Sequence, residues 1–358
     1  MWSEADKAVI RQLESTGNLH CVVNFSCIFR KGHLLLALPR KQDTALATLS
    51  LYQPQSLKAR CLAALIRLLI EWNLHTCFLT SRKLKFCSAS PVAKLNVNES
   101  HFGFLLGNPD SKDRRVIIAR KQGDEVVIDK MGLSQEAQKS VSAEIKVMQA
   151  MPDGLLGMQE LIHFEENVNW SFYTCRMVDG KSPQKSDDSV VLKILDTWLN
   201  FARKKMLRET RQWGKINDYI KHYPSAKGRD LSDKCNKLEI LMGINHGDFA
   251  PWNMKKTAQG EVAVIDWEFG TDYGPACWDW IHYLIQRATL VENLSSRDAI
   301  QACRDWATTT HGKVFIERTG WGCNIERCLG CYLIYSNILG RFAHEGLLNE
   351  WLNDGVEI

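Results

Sequence analysis

The stretch from His246 to Glu268 constrains the fold more than any other in these 358 residues. It opens with His246-Gly247-Asp248-Phe249-Ala250-Pro251-Trp252-Asn253 and closes with Val264-Ile265-Asp266-Trp267-Glu268. Between the two polar clusters, Met254-Lys255-Lys256 and Glu261-Val262-Ala263-Val264-Ile265 read as strands flanking the turn Thr257-Ala258-Gln259-Gly260. A turn centred on Gln259-Gly260 carries the pairing back so that Asn253 faces Asp266. An amide oxygen and a carboxylate side by side at the open end of a hairpin suit a hard cation that takes oxygen ligands, which is the chemistry of Mg²⁺. Asp248 stands five residues before Asn253 on a loop stiffened by Pro251. From there it can point its carboxylate at a hydroxyl beside the metal, as a base or an orienting group.

The Asp-x4-Asn spacing, followed thirteen residues later by an Asp at a strand end, resembles the catalytic loop and metal-binding Asp of the protein-kinase-like fold. His246-Gly247-Asp248 stands where protein kinases carry His-Arg-Asp, and Ile265-Asp266-Trp267-Glu268 where they carry Asp-Phe-Gly. In both respects the stretch is similar to the aminoglycoside phosphotransferase and choline kinase families of small-molecule kinases. The resemblance implies an α+β, two-lobed protein-kinase-like fold, with a small antiparallel-sheet N-lobe and a mainly helical C-lobe. It also implies ATP and Mg²⁺ as cofactors and a small-molecule hydroxyl as acceptor. Asp248 takes the catalytic place and Asn253 and Asp266 the metal places. His246 is expected to pack and hydrogen-bond within the loop, Glu268 to serve a second metal or the acceptor, and Asp279 to brace the loop from below.

Upstream, the order of elements agrees with that expectation. His101–Leu106, Arg114–Lys121 and Glu125–Lys130 read as three strands, with Gln122-Gly123-Asp124 as a turn, and Ser134–Met151 as a helix. Lys130 ends the third strand, where kinases place the lysine that neutralises phosphate charge. Glu144, fourteen residues on, is expected to hold it, and Lys121 is the alternative if the strand register slips by one. The loop Gly107–Asp113 is expected to cover the phosphates with its backbone N–H groups and Ser111. Gln159–Phe164 and Trp170–Val178 read as two more strands ending in a hinge at Asp179-Gly180, where Arg176, Met177 and Val178 offer backbone groups to an adenine edge. Gly180-Lys181-Ser182 is no Walker site, because Cys175 stands where the earlier glycine is needed. The segments Val190–Trp213 and Lys215–His222 read as amphipathic, with the Arg- and Lys-rich residues 200–215 on a solvated helix face. The region after Glu268 reads as a Gly/Pro loop entering a helix through Leu284, then helices to Trp351.

The expected organisation is therefore an N-terminal extension over 1–95, a kinase-like N-lobe over 96–180 and a mainly helical C-lobe over 181–358. The extension begins with a helix, Glu4–Leu13, then strand-like runs at Cys21–Phe29 and His33–Leu38. A helix over Ser56–Trp72 follows, expected to turn Leu57, Leu62, Leu65, Ile66, Leu69 and Ile70 inward. Its alternative is a helix lying on a membrane surface, a peripheral contact, since the apolar run is broken by Arg67 and too short to span a bilayer.

A net charge of +4 with 24% charged residues argues against a dedicated nucleic-acid binder. The N-terminal Met1-Trp2-Ser3-Glu4-Ala5-Asp6 has acids where a signal peptide has bases, and Trp2 where myristoylation needs glycine, so a cytoplasmic protein is expected. The twelve cysteines are scattered and fit reduced thiols. Cys323, Cys328 and Cys331 have a spacing that could ligate zinc or iron–sulfur with Cys303, His311 or His344, but Ile325–Leu339 reads as a helix carrying Cys328 and Cys331 as small buried residues. Seven of the twelve Trp lie from Trp252 onward, and core packing is the expected role for most of them.

The leading reading is an ATP-dependent phosphotransferase for a sugar or glycan precursor, an amino alcohol or an aminoglycoside. The rival is a nucleotide-binding pseudokinase or assembly factor in a polysaccharide-related pathway. A protein kinase ranks third, since no Ala-Pro-Glu closes an activation segment after Asp266.

Overall fold

A computed structural model of the chain describes residues 3–15, 17–52, 54, 57–95, 101–322, 324–340 and 346–358. Ser56, Cys323 and His344, invoked above, lie outside the described residues. The chain divides into two compact units, one of Met1–Gln149 with Gln159–Asp179, the other of Ala150–Met158 with Gly180–Ile358.

The first unit begins with α1 (Glu4–Glu14), the hairpin β1 (Leu19–Arg30) and β2 (His33–Leu38), α2 (Gln42–Ser50), α3 (Leu57–Glu71), α4 (His75–Phe78), β3 (Thr80–Cys87) and α5 (Pro91–Lys94). It continues with β4 (Phe102–Leu106), β5 (Arg115–Gln122), β6 (Glu125–Gly132), α6 (Gln135–Ala150), β7 (Leu161–Glu166) and β8 (Ser171–Arg176). Ser3 caps α1 by accepting from the Asp6 amide at 3.1 Å. Lys31 and Gly32 both have positive φ, which gives the β1–β2 hairpin a turn whose twist matches its strands. All eight strands form one antiparallel sheet in the order β3-β1-β2-β4-β5-β6-β8-β7.

Residues 1–95 therefore share a sheet and a core with the residues that follow. Leu36 and Ala37 of β2 pair with Leu105 and Phe104 of β4. On one face, Phe25 meets Phe102 and Phe104 edge-on at centroid distances of 5.4 and 5.3 Å, and Phe86 meets Phe102 at 5.5 Å. Such pairs add to the area that the rings bury. On the other face, Ile66 and Ile70 of α3 pack with Ile28, Leu36, Leu38, Ala45 and Leu49. The helix over 57–71 is as expected, but its orientation is not: Leu57, Leu62 and Leu65 are exposed, Leu69 is half-buried, and Ile66 and Ile70 alone make the inward contact. Residues of α2 share this cluster, so α3 joins it through two isoleucines one turn apart.

The second unit contains α7 (Asp188–Trp198), β9 (Arg203–Met206), α8 (Arg211–His222), α9 (Ala226–Cys235), β10 (Glu239–Asn245), β11 (Met254–Lys256), β12 (Val262–Val264), β13 (Thr271–Pro275), α10 (Trp278–Gln286), α11 (Ser296–Thr308), α12 (Thr310–Arg318), α13 (Ile325–Leu339) and α14 (Leu347–Asn353). Three strands were not expected here, β9, β10 and β13. The basic residues Arg203, Lys204 and Lys205 belong to β9, which pairs with β10 from Glu239–Met206 to Met242–Arg203, so they lie on a sheet edge and not on a helix. The Gly/Pro loop contains β13 on the other side of β10. Period-2 alternation is invisible in strands this short. Cys328 and Cys331 are buried on α13, and burial pushes both thiols well above the ordinary range. A sheet-based unit and a mainly helical unit, with this order of elements, give the α+β class expected from the sequence.

A buried ion pair ties α1 to the first unit's sheet. Asp6 accepts from the Arg114 guanidinium at 2.7 Å and from the Leu34 amide at 2.9 Å. Burial would raise the Asp6 carboxyl, but these donors outweigh it and hold the carboxyl below its ordinary value. Asp6→Ala leaves Arg114 buried without its partner and should cost about 3 kcal/mol or more in a denaturant titration. In the parent protein this contribution is present above the ordinary carboxyl range, about pH 4, and is lost as pH falls through the lowered folded value. Melting midpoints of Asp6→Ala and the parent should therefore converge toward low pH.

Candidate active site

In the first unit, Lys130 lies inside β6, which runs two residues further than expected, to Gly132. Its Nζ donates to Glu144 Oε2 of α6 at 2.6 Å, with both residues buried. The helix comes this close because Gly132 has no side chain: a Cβ there would meet the Ala137 backbone at 2.4 Å. Ser134 then caps α6 by accepting from the Ala137 amide at 3.2 Å. Lys121 is elsewhere, half-buried and 3.6 Å from Asp43.

The β4–β5 loop departs from expectation at Ser111. Its hydroxyl donates to Asp113 and its amide to Asn108 O at 3.1 Å, so the turn itself takes both donors. At the end of β8, the Met177 amide extends the β6 ladder by donating to Val126 O at 3.1 Å. That N–H is therefore spent within the sheet. Val178 is half-buried next to Asp179, where the unit ends.

In the second unit, β10 delivers the chain to His246. Gly247 has a φ of +78°, and a Cβ at this position would meet Phe269 O at 2.5 Å, so the sharp turn into Asp248 requires glycine. Below the turn, Asp279, near the start of α10, accepts from the His246 amide at 2.6 Å and the Gly247 amide at 3.0 Å. Burial raises the Asp279 carboxyl, while His246 and the two amides pull it the other way without reversing the shift. His246 is fully buried, receives the Asp248 amide on Nδ1 at 3.3 Å and places Nε2 at 2.9 Å from Ile265 O, which fixes the proton on Nε2. Its ring packs edge-on to Trp267 at 4.8 Å.

Past Asp248, the Ala250 amide donates to Asp248 O and the Asn253 amide to Ala250 O, folding Pro251–Asn253 into a single 3₁₀ turn. Asn253 is thereby brought back so that Nδ2 donates to both Asp248 O and Oδ2 at 2.9 Å. Its amide nitrogen is committed to Asp248, which leaves Oδ1 as the acceptor that the side chain can offer elsewhere.

The hairpin register differs by one residue from the expected one. Met254, Lys255 and Lys256 pair with Val264, Ala263 and Val262, and the Ile265 amide donates to Asn253 O at 2.9 Å. Asn253 is thus opposite Ile265, not Asp266. The cause is the turn, closed by the Thr257 amide on Glu261 O at 2.8 Å with Gly260 at a φ of +88°. This is a three-residue loop with glycine in the left-handed position, not a two-residue one. Asp266 then leaves the ladder with its own φ at +69°, a conformation uncommon outside Gly, Asn and Asp. Asp266 and Glu268 are both half-buried.

Two residues of this cluster have no motif to mark them. His282, on α10 one turn after Asp279, places Nε2 at 2.8 Å from Asp248 Oδ1, and its Nδ1 at 2.6 Å from the Tyr332 hydroxyl of α13. Burial pushes the Tyr332 phenol well up, so its O–H stays protonated and donates to Nδ1. His282 therefore carries its proton on Nε2 and donates it to Asp248. Asp248 is partly buried, which works against its charge, but the hydrogen bond and electrostatic pull of His282, with His246 and Asn253, bring its carboxyl below the ordinary value. The i, i+3 spacing of Asp279 and His282 on an apolar helix was the available sequence signal.

No sequence-family description and no characterised protein sequence matches this chain. Among solved structures, the chain is similar to the aminoglycoside phosphotransferase APH(4)-Ia, at 12% identity and a TM-score of 0.46 over 71% of this chain and 94% of that one. It is similar to choline kinase LicA from Streptococcus pneumoniae at 12% identity and a TM-score of 0.34, covering 66% and 87% of the two chains. A choline kinase from Cryptosporidium parvum Iowa II gives 10% identity and a TM-score of 0.42, covering 74% and 89%. These solved structures are of the two families whose motifs the stretch from His246 to Glu268 resembles.

Proposed function

We propose that this chain is an ATP-dependent phosphotransferase that moves a phosphoryl group to a hydroxyl of a small molecule. The observation that carries the reading is the setting of Asp248: a carboxylate kept ionised, partly open to solvent, and held between the amide of Asn253 and the imidazole of His282 on a loop pinned by Asp279. A structural aspartate needs no such convergence of donors on a partly exposed carboxylate.

In this reading Asp248 accepts a hydrogen bond from the acceptor hydroxyl, aligns its oxygen for attack on the γ-phosphorus and receives its proton as the new P–O bond forms and the bond to the bridging oxygen breaks, releasing ADP. A carboxyl held below its ordinary value is a weak base, so orientation is its larger contribution. His282 is a positioning residue that keeps one Asp248 oxygen occupied and leaves the carboxylate a fixed direction. Asn253, through Oδ1, and Asp266, through its carboxylate, are the oxygen donors that would hold Mg²⁺, which when bound neutralises charge on the phosphates. Lys130, kept in place by Glu144, supplies a second positive charge to the phosphates. The acceptor class we favour is a sugar or glycan-related hydroxyl, ahead of amino alcohols and aminoglycosides.

The direct test is purified protein with Mg²⁺ and ATP against a panel of sugars, amino alcohols and aminoglycosides, scored by mass spectrometry for a phosphorylated product and by calorimetry for ATP binding. Product from at least one acceptor supports the reading; neither product nor ATP binding overturns it, and ATP binding without product favours the pseudokinase.

Asp248→Asn should lower kcat by about a thousandfold with little change in the KM for ATP. Activity should require ionised Asp248, so the rate falls only as pH drops through its lowered carboxyl value. His282→Leu removes the donor that lowers that value and should move the acidic limb of the kcat profile to higher pH, with partial restoration in His282→Gln, whose amide can still donate. An acidic limb unchanged in His282→Leu would remove His282 from the mechanism.

A further inference from the structure

The helix α3 has two apolar faces. Ile66 and Ile70 hold one of them on the sheet, and Gln42 Nε2 clamps the helix end by donating to Glu71 O at 2.8 Å. On the other face Leu57, Cys61, Leu65, Leu68 and Trp72 recur at intervals of four, four, three and four residues, which makes one continuous stripe along the helix. The stripe points to solvent: Leu57 is 76% exposed, Leu65 54% and Trp72 66%, and Phe78 of the adjoining α4 is 70% exposed. Single exposed leucines are ordinary, but a stripe of this length continued by two aromatic residues marks a surface that meets another apolar medium.

Charge decides which medium. Residues 1–95 carry thirteen Lys and Arg against five Asp and Glu, a surplus of eight, in a chain whose total is +4. Arg30, Lys58, Arg60 and Arg67 are exposed around α3, and none of the four is in an ion pair among the described residues. Beside the first turns of the helix is a cavity of about 370 Å³ with apolar walls that include Leu36, Leu49 and Leu62, and its lining holds two cations, Arg30 and Lys58. An apolar slot with cations in its lining matches an acyl chain under an anionic headgroup. No helix among the described residues is long and apolar enough to cross a membrane. The 15 residues of α3 span roughly 22 Å, short of the roughly 30 Å hydrocarbon core.

We infer that α3 and α4 dock the protein peripherally on a membrane surface rich in anionic lipid, with the stripe from Leu57 to Trp72 and Phe78 entering the headgroup boundary and the basic residues around it contacting lipid phosphates. This inference does not depend on the proposed phosphotransfer.

The test is flotation of the full chain with vesicles of phosphatidylcholine alone and of phosphatidylcholine mixed with phosphatidylglycerol. The parent protein should float with the mixed vesicles and not with the neutral ones, and binding should weaken as salt is raised. Leu65→Glu and the double variant Arg60→Glu/Arg67→Glu should each cut the bound fraction about tenfold with melting midpoints unchanged, because all three positions are exposed. Absence of binding to the mixed vesicles, or undiminished binding by Leu65→Glu, overturns the proposal. So does a parent protein that fails to float but forms a dimer in solution that Leu65→Glu abolishes, which would assign the stripe to a second copy of the chain.

Discussion

The carboxylate of Asp279, buried at the start of α10 and accepting from two consecutive amides, is the contact on which the candidate site depends. Without it the amides of His246 and Gly247 would lose this acceptor, and a lost buried hydrogen bond is costly. The contact sets the direction in which the chain leaves the strand, and Gly247 can follow it because no Cβ meets Phe269 O. From that fixed turn, the 3₁₀ turn at Pro251–Asn253 returns the Asn253 amide to Asp248, and α10 presents His282 to the same carboxylate one helical turn later. One buried acid thus orders both the loop and the helix that converge on Asp248.

In the first unit, the decisive feature is the continuity of the sheet. The three strands β4–β6 could have stood alone beside an appended domain, but the phenylalanines of β1, β3 and β4 close over one core, and Asp6 of α1 pairs with Arg114 just before β5. Edge strands are open to further pairing, and β4 satisfies its free edge with β2. The extension is therefore structural for the unit that holds Lys130 and Glu144, while the outward face of α3 is exposed among the described residues. That division, one face spent on the core and the other left apolar, is what makes a surface role for α3 worth testing.

Legibility in the sequence followed the range of the interactions. Lys130 and Glu144 could be paired in advance through the resemblance to kinases, and Gly132 allows the close approach of helix to strand that the pair needs. Asp248 and Asn253 were legible because five residues with a proline between them leave few loop geometries. The hairpin was placed a residue out, because loops of two and three residues differ only in whether one glycine adopts a left-handed φ, which the letters do not state. The donors of Ser111 and Met177 could not be foreseen as spent, since each is taken by a backbone or side-chain partner chosen by the local turn or ladder.

By itself, the sequence determined the order of elements from β4 to β8 and the residues of the stretch from His246 to Glu268 that a phosphoryl-transfer reading needs, and through its resemblance the class of fold, since spacing and residue type are local properties of the chain. Only the tertiary structure decided that His282 and Tyr332 stand behind Asp248, that β9 and β13 flank β10, and that the leucines of α3 face outward. Each of these depends on which surface a distant segment presents, and an apolar or ionisable side chain looks the same in sequence whether that surface receives it or turns it to solvent.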